Sequence, residues 1–167
     1  KRGFGYLRAN TKKWCGLAKT QTILLITDLD RAQCPVSLIY DWFGDRALPE
    51  RLLVRVAIRE TESWLLADHE GIQALLGKKM RLPDDPDALQ DPKLSLLELA
   101  KRAPKEIRLD LVKQEGPNLR QGMGYNTRLT AWVRSEWSPQ RAAARSESLR
   151  RALLKIQQLA VKLSKGG

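Results

Sequence analysis

Histidine is nearly absent: His69 is the only one in 167 residues, and just two cysteines, Cys15 and Cys34, accompany it. The two thiols form no CxxC pair, so a zinc centre built on imidazole and thiolate is effectively excluded. They read instead as reduced cytosolic cysteines. Long apolar runs are also missing. No stretch approaches the ~20 residues of a membrane span, and no secretory apolar region is visible, which points to a cytoplasmic chain with no membrane partner. Internal repeats and low-complexity tracts are absent. Aromatic residues make up only 6% of the chain, too sparse for a base-stacking surface to be the first reading of Phe4, Tyr6 and Trp14 among the basic residues of Lys1–Gly16. That segment reads as a helix and its lead-in loop. Any metal here must be held by oxygen, which means Mg²⁺ or Mn²⁺.

Charge is abundant and unevenly placed. Thirty Lys and Arg face nineteen Asp and Glu, for a net charge of +11. Residues 51–100 hold seven basic against nine acidic side chains, whereas residues 101–167 hold fifteen against five. A locally acidic middle followed by a basic tail suggests a metal-type site beside a surface that attracts polyanions. The length fits a single domain with a real core.

Thr22–Thr27 is a continuous apolar, β-branched run ending at Asp28-Leu29-Asp30. It reads as a parallel strand buried on both faces. Pro35 opens a helix through Phe43. Leu52–Arg59 alternates and reads as a half-covered second strand, followed by Glu60-Thr61-Glu62 and a helix over Trp64–Asp68 with Thr61 as its N-cap. Strand, helix, strand, helix implies an α/β fold with a right-handed parallel crossover.

Beyond this, Leu82–Asp91 is a proline-broken acidic loop lacking the glycine and glutamate of a calcium loop. Lys93–Arg102 is an amphipathic helix, and Ile107–Val112 is strand or helix. Gly116–Asn126 is a loop without the Gly-Lys-Ser/Thr ending of a phosphate-cradling turn. Helices over Tyr125–Glu136 and Ser146–Lys165 complete a helical C-terminal part. In the last one, Arg151, Lys155 and Lys162 form a solvated basic row. Trp64, Trp132 and Trp137 read as packing residues.

The acidic pairs carry the chemistry. Asp28 and Asp30 stand two apart at the carboxyl end of a strand, where period two aims both side chains the same way if the chain stays extended, and ligand sites of open α/β sheets lie outside such ends. Glu60 and Glu62 repeat the spacing on the next strand. On neighbouring strands, about 4.8 Å apart, four carboxylates converge, and their mutual repulsion calls for a cation.

These residues carry a resemblance. The stretches Asp28-Leu29-Asp30-Arg31, Arg59-Glu60-Thr61-Glu62-Ser63-Trp64-Leu65-Leu66-Ala67-Asp68, Asp91-Pro92-Lys93, Gln121-Gly122-Met123-Gly124-Tyr125-Asn126 and Ser146-Glu147-Ser148-Leu149 resemble the bacterial domain-of-unknown-function family 4276. That family is similar to Toprim domains, the metal-dependent catalytic fold of topoisomerases, primases and the overcoming-lysogenisation-defect nucleases. The resemblance implies a Toprim-like parallel sheet of few strands, flanked by helices, and Mg²⁺ held by Asp28 and Asp30. By the same resemblance Glu62 and Asp68 would complete a second metal position and Lys93 would neutralise charge developing on phosphate, while Glu60 is a metal candidate from its strand-end spacing alone. The resemblance further implies a nuclease of bacterial phage defence hydrolysing nucleic-acid phosphodiesters, with DNA favoured over RNA and a partner ATPase; homo-oligomerisation stays open. A Toprim domain also carries a glutamate after its first strand. Here that strand is expected upstream of Lys1, making residues 1–167 an N-terminally truncated single domain. The alternative is a non-catalytic nucleic-acid- or partner-binding module of the same fold.

Overall fold

The computed structural model describes residues 3–77 and 80–165; Lys1 and Arg2, at the head of the opening segment, lie outside the described residues. The chain begins with two short helices, α1 (Phe4–Ala9) and α2 (Thr11–Leu17), then strand β1 (Ile23–Asp28). Helix α3 (Pro35–Phe43) connects it to β2 (Leu52–Ala57), and the two strands pair in parallel with Asp28 beside Ala57. The α3 boundaries follow from local chemistry. Cys34 caps it reciprocally with Ser37, Pro35 occupies its first turn, and Gly44 leaves it at φ +70°.

The crossover expected from the sequence is therefore present, but the burial of its strands is distributed differently. Leu25 and Thr27 of β1 are buried with Leu52 and Val54 beneath α1, α2 and α3, while Leu24 and Ile26 on the opposite face are 44% and 43% exposed. The expectation of a strand covered on both faces is corrected. The physical reason is the position of the last helix, α10 (Glu147–Lys165): it lies over β2, where Leu149 and Ala152 pack on Ala57, and leaves β1 bare. β2, expected to be half covered, is the better buried strand.

After β2 the chain is mainly helical, running through α4 (Glu62–Ala67), α5 (His69–Leu76), α6 (Pro92–Ala100), α7 (Lys105–Leu111), α8 (Tyr125–Ser135) and α9 (Pro139–Ala142). Leu66, Ile72, Leu76, Leu96, Leu111 and Trp132 form the centre of a second core. Between α7 and α8 stands an antiparallel hairpin, β3 (Val112–Glu115) and β4 (Asn118–Gln121), turning at Gly116 with φ +58°. The loop expected over Gly116–Asn126 is corrected for β4, which lies inside it. The hairpin's strands are four residues long and mostly polar, too short for a period-two pattern to stand out. The three tryptophans pack as expected: Trp64 Nε1 donates to Ser148 Oγ at 2.7 Å, Trp137 Nε1 donates to the Trp64 carbonyl at 3.3 Å, and Trp132 is 3% exposed.

The acidic loop is consumed by helix ends. Asp91 accepts from Leu94 N at 2.7 Å and caps α6, Asp85 caps the short 3₁₀ turn Pro86–Ala88, and Asp87 accepts from Ser148 N at 2.9 Å across the fold to cap α10. No helix among the described residues is long and apolar enough to cross a membrane.

Candidate active site

Both parallel strands end in a left-handed residue: Asp30 has φ +50° and Arg59 φ +60°. Their backbones lock together, Asp30 N donating to the Arg59 carbonyl at 2.8 Å while the Arg59 guanidinium donates to the Asp30 carbonyl at 3.3 Å. A bulky non-glycine residue in this region is a strained conformation that recurs at functional sites. The turn has a direct consequence. β1 stops at Asp28, the extended geometry that would align Asp28 with Asp30 is broken, and Asp30 is an exposed side chain outside the cluster described next.

Asp28 is partly buried, and its Oδ1 accepts the Thr61 backbone N–H at 2.7 Å. The role expected of Thr61 is corrected: its side chain does not cap α4, and Thr61 serves Asp28 instead. Burial pushes the Asp28 carboxyl up, against the lowering effects of the Thr61 bond and the Lys93 charge. Glu60 binds the start of α6 with both oxygens: Oε2 accepts the Lys93 backbone N–H and Oε1 the Lys93 ammonium, each at 2.8 Å. Glu62 opens α4 with 7% exposure. Its Oε1 accepts the Tyr125 hydroxyl at 2.9 Å and lies 3.6 Å from Lys93 Nζ. Burial raises the Glu62 carboxyl, with Lys93 and Tyr125 opposing.

Lys93 is thus the hub. Burial would lower its ammonium, but the Glu60 hydrogen bond and the charges of Glu62, Glu60 and Asp28 together hold it above the usual lysine range. Tyr125, 2% exposed, is held far above an ordinary phenol by burial and by the neighbouring Glu62 charge, so it remains a proton donor to that carboxylate. Tyr125 was missed in the sequence as a site residue. Its only signal is the Gly122-Met123-Gly124 approach to α8. A Cβ on Gly122 would lie 2.3 Å from the Asp110 carbonyl oxygen, and one on Gly124 would lie 2.8 Å from Asp110 Cβ. The two glycines let the chain press against α7 and deliver Tyr125 to Glu62.

Asp68 has different partners. Fully buried, it accepts from Gly71 N, Ser138 N and both Nε and an Nη of Arg141, at 2.7–3.2 Å. Burial alone would raise its carboxyl, but the Arg141 and backbone bonds outweigh it and hold it below the ordinary aspartate range. These bonds give Asp68 a structural duty, joining α4, α5 and α9. It has no hydrogen bond or ion pair to Lys93, Glu60 or Glu62, so the structure does not bring it into the cluster.

Oxygen donors of the right hardness for Mg²⁺ are present, yet among the described residues no group of three or more Asp, Glu, His or Cys is arranged to hold a metal ion. Glu60 and Glu62 already neutralise Lys93. Asp28 has no ion-pair partner among the described residues, and Mg²⁺ commonly takes one or two carboxylates together with waters and substrate phosphates. The cluster therefore offers no metal cage of its own, and Asp28 is the one carboxylate in it left to bind an ion shared with a phosphate ligand.

No family model matches the chain, and the comparisons with curated proteins and with solved structures return no match either.

Proposed function

We propose that the ends of β1 and β2 form a Mg²⁺- or Mn²⁺-dependent phosphodiester-hydrolysing centre of Toprim-like type, with nucleic acid as substrate. The observation that carries this reading is the gathering of Asp28 at the end of β1, Glu60 just past β2 and Glu62 at the start of α4 around the ammonium of Lys93. The strained backbone at Asp30 and Arg59 supports it. The bound ion supplies Lewis-acid polarisation of phosphate and a lowered pKa for its water. Asp28, which has no ion-pair partner among the described residues, would supply the cluster's metal donor, while Asp30 stands outside it. Glu60 holds the Lys93 backbone, fixing the start of α6 against the strand end. The Lys93 ammonium balances the carboxylates in the resting site and is placed to neutralise charge on phosphate. Tyr125 keeps one Glu62 oxygen oriented.

By resemblance the reading also extends to a phage-defence setting with a partner ATPase.

The test is nicking of supercoiled plasmid in Mg²⁺ or Mn²⁺. Cleavage is expected from the wild-type protein and is lost in Asp28→Asn and Glu62→Gln. Cleavage that persists in both variants, or in chelator, overturns the assignment. A second reading, a nucleic-acid-binding module without catalysis, is favoured by the occupation of the carboxylate centre by Lys93; DNA binding with no cleavage in any divalent ion would select it.

A further inference from the structure

A cleft of about 1250 Å³ runs from the carboxylate cluster along α6 to the β3–β4 hairpin. At one end lie Glu60 and Lys93; Lys101 and Arg102, just past α6, and Arg120 of β4 line it as well. We infer that this cleft carries the sugar-phosphate backbone of a DNA duplex strand into the site, with Lys101, Arg102 and Arg120 as its phosphate contacts. The inference rests on the hydrolytic reading for its direction but not for the binding itself.

Three observations support it. Lys101 and Arg102 are exposed and have no ion-pair partner among the described residues. By contrast, two of the three cations in the basic row of α10 are spent, Arg151 on Glu147 and Lys162 on Glu50. Arg120 pairs through Nε with Glu115 but remains two-thirds exposed. Second, the acidic side chains of the cleft are partly silenced: Asp91 caps α6 and Glu60 holds Lys93, which leaves Glu98 as the one unpaired carboxylate among the described lining residues. Third, no aromatic side chain lines the cleft. Base stacking, the usual device for holding a single strand, is not available there, whereas contacts to phosphate need only cations.

The spacing is compatible. Lys93 and Lys101 are eight residues apart along α6 and its cap, roughly 12 Å at 1.5 Å per residue. At about 3.4 Å per nucleotide along one duplex strand this spans three to four phosphates. Binding through three such contacts is independent of base sequence and strongly dependent on salt.

The experiment is fluorescence anisotropy of a labelled DNA duplex across a salt series in chelator, so that binding is read without cleavage. The Lys101→Ala/Arg102→Ala/Arg120→Ala variant is expected to bind more weakly and to flatten the slope of log affinity against log salt by up to about 3, each phosphate contributing ~0.9. Over a fourfold rise in salt, wild-type affinity then falls roughly 40-fold more than that of the variant. Arg151→Ala/Lys162→Ala should keep the wild-type slope. A triple variant with unchanged slope, or wild-type binding insensitive to salt, overturns the cleft assignment. Wild-type cleavage alongside an unchanged slope removes the cleft and leaves the hydrolytic reading standing. A slope that responds as expected in a protein that never cleaves removes the hydrolytic reading and leaves the cleft.

Discussion

Lys93 donates twice to Glu60, through its backbone amide and through its ammonium, each bond 2.8 Å long. One carboxylate thereby fixes the N-terminus of α6 and holds the counter-charge of the whole site. A positive charge thus stands among acidic groups where a metal-dependent centre would place a metal ion, and the cost of crowding those groups is lowered without one.

Replacing Lys93 with Met should remove this counter-charge. We expect a loss of about 1–3 kcal/mol at neutral pH, the range for a hydrogen-bonded charged partner left unmatched. Added Mn²⁺ should raise the melting temperature of Lys93→Met more than that of the wild type, because the freed carboxylates gain a cation. Thermal melts with and without Mn²⁺ measure both effects; equal shifts would mean that lysine and metal do not compete for the same carboxylates.

Glu62 gives a pH prediction of opposite sign to an ordinary paired carboxylate. Its folded-state pKa is raised, chiefly by burial, so the folded state binds the proton more tightly than the unfolded chain. Ionised Glu62 destabilises the fold in full above the raised value, and this penalty disappears as pH falls through the unfolded value of about 4.3. Glu62→Gln is therefore expected to be at least as stable as wild type at pH 7, with any gain vanishing near pH 4. Urea titrations at the two pH values read this directly.

Asp68 runs the other way. Its depressed carboxyl contributes stability that is complete above the unfolded value of about 3.9 and lost as pH falls through the lower folded value. Arg141→Ala leaves the buried carboxylate with only backbone donors and should cost about 3 kcal/mol. Because Asp68 has no bond to the Lys93 cluster, the surviving folded fraction should bind DNA with the wild-type salt slope. A changed slope would place Asp68 in the binding site after all.

Gly122→Ala tests the delivery of Tyr125. The new Cβ would stand 2.3 Å from a backbone oxygen of Asp110, so the hairpin or α8 must shift, at a cost of roughly 1–3 kcal/mol. Loss of the Tyr125 hydrogen bond should raise the Glu62 carboxyl further, visible as an upward move of its titration by NMR. Tyr125→Phe is expected to reproduce that move with a smaller stability loss.

Much of the scaffold was legible. The apolar run ending at Asp28, the alternation from Leu52, and Pro35 opening α3 each rest on local periodicity or backbone chemistry, and each appears in the fold. The last helix, α10, is also a local feature, but the strand it covers is not. Residues 116–121 were misread because a short polar hairpin is held by tertiary contacts with α6, not by its own pattern.

Of the acidic residues at the strand ends, sequence spacing singled out Asp28, Glu60 and Glu62 because strand periodicity and charge are properties of consecutive residues. The same spacing offered Asp30, which a left-handed turn separates from the others, and the resemblance added Asp68, which Arg141 claims from 73 positions away. Local order along the chain determined the helices, the two parallel strands and the excess of positive charge. Which carboxylates share a cation, which tyrosine reaches them, and which basic side chains line the way in depended on contacts between segments distant in sequence, and those only the folded packing decides.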